Sequence, residues 1–170
     1  MSWKRPNVKD RMKVFLSGLP DVDFVVTLDI GTGDGIFSLL VRENNPSSYV
    51  MSSDLRRFGY KIDNFLLHSA DAPPFRKNSL DLITLGQVLH YIPHVKQQQC
   101  LNALIRCISA GGFLIVIEYN TSTRYGWLPY PLSAQQIKQI NFDETVHTKL
   151  IHDNDRSRPK YAFYISKKNQ

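Results

Sequence analysis

Phe24-Val25-Val26-Thr27-Leu28-Asp29-Ile30 runs without a break into Gly31-Thr32-Gly33-Asp34-Gly35. The first seven residues are β-branched or apolar with no alternation, which predicts a strand buried on both faces, as in a parallel sheet. Glycines supply positive φ and let a ligand approach the backbone closely. Ile36 to Arg42, with Phe37, Leu40 and Val41 apolar, reads as a helix whose first N–H groups face that loop. A strand, a glycine turn and a helix predict a ligand at the carboxyl end of the strand. The spacing is Gly-x-Gly-x-Gly. Ile36 stands three after Gly33, so the dinucleotide fingerprint fails, and no Gly-Lys-Ser/Thr follows to make a phosphate loop. Asp29 and Asp34 flank the turn and repel a pyrophosphate. They suit a ligand carrying an ammonium or sulfonium charge.

Outward from this loop the same alternation repeats. Tyr49 to Asp54, Phe65 to His68, Leu80 to Leu85 and Phe113 to Glu118 read as strands. Leu55 to Ile62 reads as a short helix or turn. Val95 to Ile108 reads as a helix closed by Ala110-Gly111-Gly112 as its glycine cap. Val8, Met12, Phe15 and Leu16 make one helical face that Gly18 and Pro20 end. Ser133 caps a helix from Ala134 to Phe142. Glu144 to His152 and Lys160 to Ser166 form a hairpin around a polar loop. The expectation is α/β: a Rossmann-like three-layer sandwich, a mostly parallel seven-stranded sheet ending in an antiparallel hairpin. One domain covers 1–170, with an N-terminal helix in 1–20, a ligand-binding core in 24–118 and a C-terminal helix and hairpin in 133–170.

The composition agrees. A chain of 170 residues, 42% hydrophobic and 21% charged, has the makeup of an ordinary globular domain and excludes global disorder. Its 21 Lys and Arg against 15 Asp and Glu give a net charge of +6. The basic residues are scattered, which suits a solvated surface first and a nucleic-acid or acidic-substrate surface second. Cys100 and Cys107 lie about 10 Å apart along one helix, too far to bridge, and read as two small buried thiols in a reducing compartment. No stretch approaches the roughly 18 apolar residues of a membrane span, and no signal-type stretch follows the basic start. A soluble, cytoplasmic protein is expected. Oligomeric state is not legible.

The segment Leu28-Asp29-Ile30-Gly31-Thr32-Gly33-Asp34-Gly35 resembles the first motif of the class I S-adenosylmethionine-dependent methyltransferases. Three further features agree in order and spacing. Asp54 ends the second strand nineteen residues after Gly35. Ser69-Ala70-Asp71-Ala72-Pro73-Pro74-Phe75 resembles the family's Asp-Ala-x-x-Leu-Pro-Phe segment. Asn78 to Ile83, continuing through Gln87-Val88-Leu89-His90-Tyr91-Ile92, resembles its fourth-strand motif. The match is good over about residues 24–118 and topological elsewhere. Pro73-Pro74 shortens the usual spacing before Phe75, and the chain has almost no extra cap over the substrate side.

The resemblance implies S-adenosyl-L-methionine as cofactor and methyl transfer as reaction. It puts Asp29 at the methionine end, helping to bind the ammonium, with a capping carboxylate for the turn as the alternative. It puts Gly31, Gly33 and Gly35 against the cofactor, Asp54 on the ribose hydroxyls, and Asp71 and the Ala72 N–H at the adenine. Gln87 falls near the methionyl carboxylate or the methyl. Methyl transfer mainly needs a positioned nucleophile, with a general base only if that nucleophile is protonated. His90, Tyr91 and Glu118 are the candidates for catalysis. His94 follows His90 by four, but Pro93 interrupts any helix between them and no metal is expected. The loop from Tyr119 to Pro131 holds Tyr119, Tyr125, Tyr130 and Trp127. It reads either as a wall for a flat acceptor or as a hydrophobic plug. Arg124 in it suits an anionic acceptor.

A small-molecule acceptor methylated on oxygen or nitrogen is the first reading. An RNA or protein acceptor using the basic surface is the second. Residues 85–90 lack the Asn/Asp-Pro-Pro-Tyr/Phe of adenine-amino methylases, which disfavours that chemistry alone. A non-catalytic fold member, binding cofactor or a partner chain, is the third. A nicotinamide-dependent oxidoreductase shares the acid at Asp54 but needs glycine at position 36.

Overall fold

A computed structural model describes residues 13–57, 63–153 and 155–168. Seven strands form one sheet in the order β3-β2-β1-β4-β5-β7-β6. They are β1 (Val26–Ile30), β2 (Tyr49–Asp54), β3 (Phe65–Leu67), β4 (Leu80–Gly86), β5 (Ile108–Tyr119), β6 (Val146–His152) and β7 (Lys160–Lys167). The first five run parallel, whereas β7 pairs antiparallel with both β5 and β6. The order reverses beside β1 and β4, so β1 and β4 head for opposite edges and leave a crevice at their carboxyl ends.

Alternate residues of the central strands feed two cores. Leu28, Ile83, Leu114, Val116 and Phe163 face α2 (His94–Cys107) and α3 (Ala134–Ile137). Leu82, Ile115, Ile117 and Tyr164 face α1 (Ile36–Asn44) together with Phe15 and Leu16. The expected three-layer α/β fold is therefore the observed one. Phe15 and Leu16 lie in a helical turn at 13–16, while Val8 and Met12 lie outside the described residues.

Three stretches differ in kind from expectation, and the other element ends shift by one or two residues. α2 ends at Cys107 and β5 begins at Ile108. The ladder to β4 jumps from Leu80↔Ile108 to Leu82↔Phe113, so Gly111 (φ 78) and Gly112 serve a bulge and not a helix cap. A Cβ on Gly112 would come within 2.8 Å of the Asp81 carbonyl. α3 stops at Ile137, although Ser133 and Gln136 form the full capping box. Ile140 and Phe142 pack on the core instead of continuing the helix. Residues 55–56 form a bend, and the rest of the 55–62 stretch lies outside the described residues.

Candidate functional site

Asp29 is buried near the end of β1, and all its bonds are internal. Its Oδ1 accepts from Thr84 Oγ1 at 2.7 Å. Its Oδ2 accepts from Thr32 Oγ1 at 2.7 Å, Ser38 Oγ at 2.8 Å and Ser38 N at 3.2 Å. Burial raises its pKa, and the hydroxyl and backbone donors partly counter that rise. One carboxylate thus ties β1, β4, the glycine turn and the first turn of α1 together. Thr32, Ser38 and Thr84 were not legible as its partners. Only the short-range Asp29-x-x-Thr32 spacing offered a signal.

The turn it supports is left-handed at Gly31 (φ 67), Gly33 (φ 53) and Gly35 (φ 81). A Cβ on Gly31 would lie 2.0 Å from Val88 Cγ2, whereas one on Gly33 would meet nothing within 4 Å. Val88 therefore closes the loop from the β4 side, and open space lies over Gly33. Asp54 stands at the rim of that space. Its Oδ2 accepts from Gly33 N at 3.2 Å and its Oδ1 from Leu55 N at 2.8 Å. A carboxylate has about four acceptor sites, so two remain for a ligand.

The segment after β3 turns back on itself. Asp71 accepts from Ser69 Oγ. The Ala72 N–H closes a turn onto the Ser69 carbonyl at 3.1 Å, so it is not free in this conformation.

At the ends of β4 and β5 a second group assembles. Gln87 is left-handed (φ 58), a strained backbone for a non-glycine residue. Its N–H donates to the Ile117 carbonyl at 2.7 Å, and its Oε1 accepts from Tyr119 Oη at 2.8 Å. His90 sits in a single 3₁₀ turn, Leu89–Tyr91, and is buried. Its Nδ1 lies 2.7 Å from Glu118 Oε2, and its N–H reaches Glu118 Oε1 at 3.3 Å. Glu118 is buried as well. An ionised Glu118 fixes the Nδ1–H tautomer and leaves Nε2 as the proton-accepting nitrogen. Tyr91 leans on the His90 ring at 4.2 Å but is 60% exposed.

Gln97 holds this turn in place. Its Nε2 donates toward the carbonyls of Leu89, Ile92 and Tyr130 at 3.0–3.2 Å. The sequence signal was a polar residue on the apolar stripe of α2, at i with Cys100, Leu101 and Leu104 at i+3, i+4 and i+7.

The loop after β5 divides the work that its composition left undecided. Leu128 and Leu132 are the buried plug. Tyr125 and Leu128 exchange two backbone hydrogen bonds, which makes a tight turn. That turn leaves Tyr125 and Trp127 stacked at 5.6 Å and 11°, each close to half exposed. Trp127 meets the Tyr119 edge at 5.0 Å, and Tyr119 meets His90 at 6.0 Å. Arg124 lies over Tyr130, on a shallow cavity that Pro93, His94 and Val95 also line. The hairpin adds two cations, Lys160 over Tyr119 at 4.9 Å and Arg158 over Trp127 at 5.5 Å.

The site thus has two halves that meet where Val88 packs on Gly31. Asp29, the three glycines and Asp54 form one; Gln87, His90, Glu118 and Tyr119 form the other. Asp71 sits beyond β2, and Tyr91, Arg124 and Tyr130 flank the second half. Among the described residues no group of His, Cys, Asp and Glu is placed to hold a metal ion, and no helix is long and apolar enough to cross a membrane. The open space over a left-handed glycine turn, with an acid at its rim, fits S-adenosylmethionine: a small ligand with a ribose and a positive sulfonium.

Comparison with known proteins agrees. A family model described as a methyltransferase domain matches residues 10–155. The chain is 27% identical over 135 residues to the tRNA N(3)-cytidine methyltransferase METTL2 of Bos taurus, covering 69% of this chain and 34% of that protein. It is 29% identical over 133 residues to the ubiquinone/menaquinone biosynthesis C-methyltransferase UbiE of Pseudoalteromonas translucida, covering 69% and 49%. The chain thus spans a third to a half of the curated relatives it matches. A solved structure described as a SAM dependent methyltransferase from Aquifex aeolicus superposes with a TM-score of 0.70 at 18% identity, covering 92% of this chain and 89% of that one. The chain belongs to the methyltransferase-domain family, the class I fold of S-adenosylmethionine-dependent enzymes.

Proposed function

We propose that this chain transfers a methyl group from S-adenosylmethionine to an oxygen or nitrogen nucleophile, with His90 as general base oriented by Glu118. The bound cofactor supplies a methyl group already activated on a sulfonium. Gly31, Gly33 and Gly35 would hold it from below, Asp54 through its free acceptor sites, and Asp71 at the far end. Asp29 acts as a positioning residue, because its bonds go to the glycine turn, to α1 and to β4. Gln87, held by Tyr119, keeps the two halves in register.

The observation that carries this reading is the buried His90–Glu118 pair at 2.7 Å on the ligand edge of the sheet. A carboxylate on one imidazole nitrogen leaves the other to take a proton from an O–H or N–H as the methyl bond forms. The rings of Tyr119, Trp127 and Tyr130 wall the acceptor side.

Calorimetric titration with S-adenosylmethionine tests the cofactor half. Micromolar binding that Asp54→Ala abolishes supports it; no binding by folded protein overturns it. For the base, methyl incorporation from labelled cofactor is scored against acceptor pools. His90→Ala and Glu118→Gln are expected to lose about 10²–10⁴-fold in turnover with cofactor affinity retained. Equal turnover in His90→Ala removes the base from the mechanism.

A further inference from the structure

Trp127 and Tyr125 form a parallel stack on the outer rim of the acceptor side, each with about half its surface in solvent. A site for a small molecule usually encloses most of its ligand. This one is an open shelf. It is also rigid: the turn is pinned by the buried Leu128, by the paired hydrogen bonds of Tyr125 and Leu128, and by Tyr130 N–H on the His90 carbonyl at 3.0 Å. Two guanidinium groups flank it, Arg158 against Trp127 and Arg124 against Tyr130. Neither is in an ion pair with a described carboxylate. Asp155, the acid nearest in sequence to Arg158, accepts from the Ser157 and Arg158 N–H groups and so caps the hairpin turn.

Exposed parallel rings bind the π-face of any base, and an arginine that is stacked but not ion-paired turns its N–H edge to phosphate. We infer that Tyr125 and Trp127, with Arg124 and Arg158, are a stacking and phosphate platform for an unpaired stretch of single-stranded nucleic acid. The platform leads through Tyr119 to His90, so the nucleotide beside the stacked one is delivered to the base. This inference deepens the methyl-transfer reading and rests on it only in calling the polynucleotide an acceptor.

The chain has two tryptophans, Trp3 and Trp127, so Trp3→Phe makes Trp127 a sole fluorescent reporter. An unstructured RNA oligomer of about 15 nucleotides, a DNA oligomer of the same sequence and a mononucleotide are titrated into it at low salt. Saturable quenching by the oligomers, much weaker for the mononucleotide, is expected. The slope of log K on log salt should be near −1.4, about two phosphates at 0.7 each, and should halve in Arg158→Ala. Tyr125→Ala, at an exposed position, should weaken binding roughly 5- to 100-fold without moving the thermal midpoint. Equal quenching by mononucleotide and oligomer, or oligomer affinity unchanged in both variants, overturns the proposal in favour of a small acceptor or another surface. RNA and DNA arms of equal strength support stacking; loss of the DNA arm alone assigns the platform to RNA. Cofactor titration of the same proteins separates the two readings: polynucleotide binding without cofactor binding fails only the catalytic one.

Discussion

Gly31 and Gly33 share a left-handed backbone but differ in what surrounds them. An alanine at Gly33 costs about 1–2 kcal/mol of backbone strain, and its methyl points into open space. Gly33→Ala should therefore fold and lose cofactor affinity in calorimetry. Gly31→Ala adds an overlap with Val88, about 1–3 kcal/mol more, and should lower the unfolding midpoint as well. Affinity in Gly33→Ala equal to that of the parent would remove the loop from the binding site. Asp29 gives a pH signature. Its folded pKa lies above the ordinary 3.8, so the folded state holds the proton more tightly than the unfolded chain. That contribution is fully present below 3.8 and is lost as pH rises through the folded value. Stability relative to Asp29→Asn, from urea unfolding, should thus fall with rising pH across that window. A gap that widens instead contradicts the sign.

At the scale of elements, the 3₁₀ turn carrying His90 has no extended helix to support it. Gln97 of α2 does that work through three carbonyls from two loops. Gln97→Leu keeps the volume and orphans the Ile92 and Tyr130 carbonyls, since the Leu89 carbonyl keeps the Ile92 N–H, so a loss of about 1–3 kcal/mol is expected. In a chain of this length, each kcal/mol is about 2–4 °C of melting temperature. Faster hydrogen exchange at Ile92 and Tyr130 should accompany it. A melting temperature unchanged by the substitution would mean that water replaces the amide. Such long-range ties set where elements end. Nothing local in Ser109-Ala110-Gly111-Gly112 tells a helix cap from a bulge, since both want glycine. The pairing of β5 with β4 chose the bulge.

Across the whole molecule, the two thiols report on cooperative integrity. Burial pushes Cys100 up to about 12 and raises Cys107, where Arg106 and Lys167 partly oppose the rise. Thiolate is the reactive form, so an aromatic disulfide reagent at pH 8 should find neither cysteine in folded protein and both after unfolding. A fast-reacting thiol in the native state would show local opening of α2.

The sequence by itself determined the strand–glycine–helix unit at 24–42, the βα alternation and the closing hairpin. Each follows from short-range sterics and periodicity, which need no neighbours. It also put Gln87 and His90 just after β4 and Glu118 near the end of β5, the end of the sheet where a ligand is expected. Only the tertiary structure decided what those groups touch. Asp29 was open to a ligand or to the turn until Thr84, fifty-five residues on, took one of its oxygens. His90 and Glu118, twenty-eight apart, became a pair because β4 and β5 lie side by side. The aromatic loop buried its leucines and left the rings of Tyr125 and Trp127 half exposed. Burial and pairing across the sheet are properties of neighbours distant in the chain, and no local pattern records them.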